Sequence, residues 1–455
     1  MTYSLLIALM VLISYFRAIV WGEYTIDDED VFNLDRTPKN KWQKLWWQAI
    51  GKKYSNPQTE HLINVATHLI NCELIYFAFG RNNISFLTAL LFAVNPAGTQ
   101  GSVWLSGKGY AISTMFVLLM WWLCPIFYLI TPYLSLNAIF APLLFIRTQW
   151  WLILLIPIYL YIAKGEKVEI KRRLSTATGK GQEFSPVKII IALKTLGYYT
   201  CLAVFPTRLG IYHSFLWTYS LSKVDNDYWE KIDKFFWIGC LVLGLLFYGW
   251  FWHYNNAVFG LFWFVLFLAQ WTNIITLSQS IAERYIYLPL IGMSYCVVNL
   301  IMALPDITLR IVVFTVLFMY YWTRLQLIIP MYYNIHNCID YGRLNFPDLY
   351  VYYTWLGQIE KRRGSFFTAL EAWFHGFKMR PVDFRLNNNI AVMLTNMGYL
   401  DDAEAFLKNA ETNIIPEQKK AADMFIAHER ERIAKARQIL KDKEIAKRII
   451  LPKYK

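Results

Sequence analysis

Eleven apolar runs divide the first 330 residues, near 3–20, 60–80, 83–95, 109–131, 133–147, 149–163, 187–205, 234–252, 256–277, 285–304 and 308–329. A helix needs about 20 apolar residues to cross ~30 Å of hydrocarbon, and fewer where it is buried in a bundle. The pattern therefore predicts an all-α, polytopic membrane bundle of about 11 spans over residues 1–330. The third, fifth and sixth runs are short, and Pro125, Pro142 and Pro157 either kink their helices or bound them. The first run follows Met1 and Thr2 and ends at Arg17 without a small-residue cleavage site, so it reads as a retained helix.

Past residue 340 the long apolar runs give way to a 34-residue period, with one register at Tyr350 and the next at Phe384. This is the tetratricopeptide length. The first unit carries Leu356-Gly357, Gly364, Ala369, Trp373, Gly376 and Pro381, and the second Ile390-Ala391, Gly398, Ala403, Leu407 and Ala410 at matching offsets. Small residues let paired helices pack closely and large ones fill the groove between them. Residues 341–440 are expected to form two such repeats closed by an amphipathic capping helix over 417–440, followed by a basic tail over 441–455.

Composition strengthens the membrane assignment: 56% of residues are apolar and only 17% charged, against roughly 25% charged in soluble proteins. The formal charge of +13 gathers in one internal loop and the tail, without an aromatic-and-basic module around it. Nucleic acid is not an expected partner; a phosphate-bearing lipid is. The internal loop holds Lys164, Lys167, Lys171, Arg172, Arg173 and Lys180, which places it in the cytoplasm by the positive-inside rule. Counting spans outward puts the 21–59, 96–108 and 206–233 loops and everything after 330 on the opposite side. The six cysteines show no metal or redox spacing and read as small core residues.

Chemistry-bearing residues concentrate in those outer segments. The first loop opens Glu23-Tyr24-Thr25-Ile26-Asp27-Asp28-Glu29-Asp30. Such a cluster either forms a solvated acidic cap, accepts a proton from an attacking hydroxyl, or holds a divalent cation. Trp42, Trp46 and Trp47 with nearby lysines suit a segment lying on the membrane surface. In the second run His61, Asn64 and His68 share a helical face, either for interhelical hydrogen bonds or for a site. Glu73 lies on another face and is expected to pair with a buried cation such as Lys194. Lys108, Arg208 and Arg284 sit at outer ends of spans, where they either converge on an anionic headgroup or snorkel separately.

The strings AERYIYLP at 282–289, HLINVATH at 61–68 and PTRLGIY at 206–212, with the terminal repeats, resemble the transmembrane and tetratricopeptide-repeat O-mannosyltransferase family and its bacterial relatives. The resemblance runs from about residue 20 to 415. It implies a C-type glycosyltransferase fold and a polyprenyl-phosphate sugar as donor. The family's acidic pair falls on Asp27 and Asp28, with Asp28 as catalytic base. Lys108, Arg208 and Arg284 become donor-phosphate ligands, and His61, Asn64, Glu283, Tyr285 and Tyr287 supporting residues. Departures from the family pattern are Asn95, Gly98 and Gln100, where relatives carry His, His and Glu, and Tyr110, where they carry an acid.

The expected function is transfer of one sugar from a polyprenyl phosphate to a protein or glycan hydroxyl outside the cytoplasm. The alternative is a degenerate member serving as a membrane scaffold through its repeats. No tightly held cofactor is expected, a divalent cation stays open, and a protein partner or acceptor is assigned to the repeats. The short array points to a bacterial inner membrane, with the endoplasmic reticulum membrane as alternative.

Overall fold

The computed structural model describes residues 2–26, 28, 56–133, 138–146, 148–162, 186–213, 232–274, 281–412, 414 and 419–450. It is all-helical, with no strand among the described residues. The first helices are α1 (Thr2–Trp21), α2 (Pro57–Ala78), α3 (Asn83–Val94), α4 (Lys108–Trp122) and α5 (Leu155–Ile162). There follow α6 (Pro186–Val204), α7 (Lys234–Trp252), α8 (Asn256–Leu268), α9 (Pro289–Met302) and α10 (Ile307–Ile328).

Among the described residues four stretches, Thr2–Trp21, Pro186–Val204, Lys234–Trp252 and Ile307–Tyr332, are long and apolar enough to cross a membrane. A bent pair, Pro96–Ser102 meeting Leu105–Trp122 at 83°, is either a broken fifth span or a re-entrant loop. Several apolar side chains on these helices have no protein cover, with Leu5 68%, Trp237 64% and Val316 64% exposed, as lipid-facing positions would be. The predicted runs at 109–131 and 133–147 are not continuous helices. α4 ends at Trp122, and tight three-residue turns cover Pro125–Tyr133 and Ala141–Phe145. Prolines at 125, 132 and 142 lack the N–H that an α-helix needs and favour such short pieces.

Small residues set the helix crossings. A Cβ at Gly197 of α6 would strike the Phe235 carbonyl, and one at Gly239 of α7 the Leu193 carbonyl. The two backbones therefore touch where side chains normally separate them. Beside this crossing the fully buried Lys194 meets Asp233 at 3.1 Å. The expected pairing of Lys194 with Glu73 is thus corrected. Asp233, the α7 N-cap, is the nearer carboxylate, while Glu73 has Ser4 of α1 as hydrogen-bonding neighbour. Cys72, Cys296 and Cys338 are buried as expected, but Cys124 is exposed, just beyond the end of α4.

Beyond α10 come α11 (Ile335–Asn345), α12 (Tyr350–Arg362), α13 (Phe366–Met379), α14 (Phe384–Met397), α15 (Leu400–Thr412) and α16 (Lys419–Ile450). α12–α13 and α14–α15 are antiparallel hairpins whose corresponding helices start 34 residues apart. Each hairpin turns on a glycine in the left-handed region, Gly364 at φ +83° and Gly398 at φ +87°, where any other residue is strained. Trp373 fills the first hairpin, with Nε1 donating to the Thr354 carbonyl at 3.1 Å. α16 closes the array through Arg430–Glu411 and Arg437–Glu404 pairs, both 2.8 Å.

Candidate functional site

Chain segments far apart in sequence meet at one end of the bundle. Glu23 N donates to the Tyr332 carbonyl at 3.1 Å, and Trp104 Nε1 to that of Ile26 at 3.2 Å. Gln100 Nε2 donates to Gly210 O at 2.9 Å, and Arg284 N to Gln100 Oε1 at 3.1 Å. The turns after α1, α6 and α10 and those before α4 and α9 are therefore one structure.

Asp28 stands at its centre, buried. Oδ2 accepts from Thr25 N at 2.9 Å and Thr25 Oγ1 at 2.8 Å. Oδ1 accepts from Ser106 N at 2.9 Å and Ser106 Oγ at 2.5 Å. Burial pushes the carboxyl up to about 6, and the hydrogen bonds from Ser106 and Thr25 restrain that rise. With both oxygens doubly bonded, a proton reaches Asp28 most directly through a hydroxyl. Ser106 is the half-buried one.

Lys108, at the start of α4, forms a buried ion pair with Glu60 in the first turn of α2. Nothing in the sequence reading singled out Glu60. The available signal was an ionisable residue directly before His61 at the end of an apolar run, the same signal that drew attention to Glu73. Arg284 lies over the rings of Trp104, 5.4 Å from its centroid, and Tyr285, 5.0 Å. Tyr285 in turn stacks on Trp271 at 4.1 Å with 2° between planes. A cation on an aromatic platform results. Arg208 is exposed, and among the described residues no hydrogen bond or ion pair joins it to Lys108 or Arg284.

The supporting residues hold loops. Asn64 Nδ2 donates to the Trp104 carbonyl at 3.1 Å, and a His61 ring nitrogen lies 3.3 Å from Glu23 O. His68 meets the Tyr287 hydroxyl at 2.7 Å, and Asn71 donates to the same oxygen at 3.2 Å. Glu283 Oε1 accepts from Gly210 N at 2.6 Å and stands 3.0 Å from His213, whose other nitrogen meets Tyr198 at 2.9 Å. Burial raises the Glu283 carboxyl, and His213 offsets part of that rise.

Asn95, Gly98, Gln100 and Tyr110 are packed in. Asn95 donates to the Ala203 carbonyl at 2.9 Å and caps the turn at Ala97. Gln100 is fully buried and bonded at both ends of its amide, and Gly98 faces the ring of Tyr287. Tyr110 stands 6.0 Å from Tyr285 and 6.2 Å from Trp271. Asp27, Glu29, Asp30 and the Trp42–Trp47 segment lie outside the described residues. Among those described, no group of three or more His, Cys, Asp or Glu is placed to hold a metal ion.

No family model matches the chain, and neither a curated protein nor a solved structure does.

Proposed function

We propose that the chain is an integral membrane glycosyltransferase of the C-type kind, moving one sugar from a polyprenyl-phosphate donor to a protein or glycan hydroxyl. The observation that carries this reading is the buried Asp28 carboxylate, linked through half-buried Ser106 to the bundle end that also holds Glu60–Lys108 and the Arg284 platform. The acceptor hydroxyl gives its proton to Ser106 Oγ while Ser106 passes its own to Asp28. The acceptor oxygen bonds to the anomeric carbon, and the polyprenyl phosphate leaves with the electron pair of the broken bond. Arg284 and Lys108 offset its charge. In this reading the bundle has eleven spans, the hairpins are tetratricopeptide repeats outside the cytoplasm, and the membrane is a bacterial inner membrane.

Transfer from polyprenyl-phosphate sugars by the purified chain tests the reading. Asp28→Asn is expected to lower the rate by ~100- to 10,000-fold, and Arg284→Ala to weaken donor binding by about tenfold to a hundredfold. Absence of transfer from every such donor overturns it.

A second reading, a scaffold that keeps the fold without the chemistry, is favoured by Asn95 and Gln100. Where the family carries ionisable groups, these two are spent on packing. Retained assembly of a membrane complex by Asp28→Asn, together with no transfer, is its signature.

A further inference from the structure

At the Asp28 end of the bundle, the ends of two spans carry the side chains of a membrane–water interface. α1 leaves Leu5, Leu9, Leu12, Phe16 and Val20 exposed along one side and ends at Trp21. The Trp21 ring meets that of Tyr333 edge-on at 5.8 Å, and the Arg17 guanidinium lies 5.8 Å from both ring centres. Tyr333 directly follows the apolar stretch Ile307–Tyr332. Amphipathic rings with a snorkelling arginine are what such a level attracts.

The turn of the first hairpin lies at the same level. Arg362 and Arg363, at the end of α12, share a cavity wall with Tyr24, just past α1, and with Asn334, just past Tyr333. Gly364 then reverses the chain, with open space where a Cβ would stand. Next come Ser365, Phe366 and Phe367, and the two rings are 48% and 80% exposed. α13 fills its hairpin with Ala369, Ala372, Trp373 and Gly376. At about 100° per residue Phe367 stands on the other side of the helix from that stripe, so the hairpin makes no use of its ring. A single exposed apolar residue is ordinary; two adjacent phenylalanines beside an aromatic belt form a patch that needs cover. Charge is not what the turn offers, because Arg363 is paired with Glu360 at 3.6 Å.

We propose that this turn is a membrane anchor: Phe366 and Phe367 enter the headgroup and upper acyl region of the bilayer that holds the bundle. A phenylalanine ring has no polar tip, so it seats just beneath the headgroups, as the apolar face of a surface helix does. The exposed side of α1 leads up to the same level, which makes lipid the cover continuous with both. Held at this turn and at the Tyr352–Tyr212 contact, the first hairpin has two fixed points and cannot swing over the bundle end. The proposal rests on insertion of the bundle in a bilayer and is independent of transfer chemistry.

The test places a nitroxide on the full chain in phosphatidylcholine nanodiscs, with the six native cysteines replaced by serine. Ser365→Cys carries the label beside the rings. Lys408→Cys, exposed in the second half of α15, is the water reference, and Leu9→Cys on α1 the lipid reference. Power saturation reads collisions with oxygen, which concentrates in acyl chains, and with a neutral nickel chelate, which stays in water. The label at 365 is expected to lose most of its nickel collisions relative to the label at 408 and to gain oxygen collisions. With Phe366→Ser/Phe367→Ser it should return to the water reference. The labelled positions and both rings are exposed, so melting temperatures in detergent should match that of the unlabelled chain. A label at 365 as open to nickel as the one at 408 overturns the proposal. So does a label screened from nickel and oxygen alike, which means protein cover, or screening that survives the loss of both rings. Insertion that appears only once phosphatidylglycerol is added overturns it too, since charge then does the anchoring. Water at both 9 and 365 overturns the membrane placement of the bundle along with it; lipid at 9 and water at 365 sinks this inference alone.

Discussion

A carboxyl held near pKa 6 when folded, as Asp28 is, but near ~3.9 when unfolded, binds its proton more readily in the native chain. Its contribution to stability is complete below about pH 4 and lost as pH rises through about 6, by roughly 3 kcal/mol. The activity runs the other way, because only the ionised form takes a proton; transfer should rise as pH rises through about 6. Asp28→Asn has no charge to lose, yet its amide NH₂ must face one backbone N–H, of Thr25 or of Ser106, at a cost of about 1–3 kcal/mol. Relative to wild type, the variant should therefore be roughly 2 kcal/mol better off at pH 7 than at pH 4. Melting curves in detergent at the two pH values read this difference directly, and an unchanged gap would rule out the raised carboxyl. The Glu60–Lys108 pair gives a second test. Lys108→Met leaves Glu60 charged and alone, costing about 3–5 kcal/mol, whereas Glu60→Leu/Lys108→Met should recover most of the loss. At this scale Asp28 and Lys108 were legible in the sequence because charges beside apolar runs demand explanation. Their partners were not: Ser106 is one of many serines, and Glu60 lies 48 residues from Lys108.

Helix boundaries follow the apolar runs where those runs are uninterrupted. The seventh run, 187–205, folds as Pro186–Val204, and the eighth, 234–252, as Lys234–Trp252. Between 109 and 147 the same signal fails, since apolar composition continues through three prolines while the α-helical hydrogen-bond ladder cannot. Hydropathy measures what a segment can be buried in, and says nothing of whether its backbone can pair with itself. The contact between α6 and α7 was equally hidden, because it depends on two glycines 42 positions apart in sequence facing each other. Gly239→Ala should push α7 off the Leu193 carbonyl and destabilise the bundle by about 1–3 kcal/mol. A lowered melting temperature checks this, and an unaltered one would mean the helices can part without penalty. At the junction with the repeats, the Tyr352 hydroxyl donates to the Tyr212 carbonyl at 2.8 Å and accepts from the Tyr212 amide at 3.0 Å. Tyr352→Phe removes both hydrogen bonds from a buried contact. It should loosen the first hairpin from the bundle, read as faster amide exchange around Tyr212 and α12 at an unchanged rate within α14–α15.

The segments assigned to one side by counting spans are those that meet at one end of the bundle: Ile26 with Trp104, Gln100 with Gly210 and Arg284, Tyr212 with Tyr352. The counting used only run lengths and one basic loop, whereas the meeting of the turns is a matter of packing. A simple constraint would link the two. A chain that crosses repeatedly must bring alternate turns to the same end, so parity in the sequence becomes proximity in space. In the proposed eleven-span topology the same parity decides where the repeats lie. The 164–187 loop carries the basic excess and reads as cytoplasmic, and five predicted runs separate it from residue 330, so the proposed topology puts the hairpins on the opposite side. In a background with the six native cysteines replaced by serine, Asp401→Cys should react in intact cells with a membrane-impermeant maleimide, and Ser175→Cys only after permeabilisation. Asp401 is 97% exposed at the side chain, and its pair with Arg437 lies on the surface, so the substitution reports sidedness with little effect on the fold. Labelling at 175 alone would invert the molecule. The end holding Asp28 and Arg284 would then face the cytoplasm, where an acceptor arriving from outside could not reach it, and the transfer reading would fall with it.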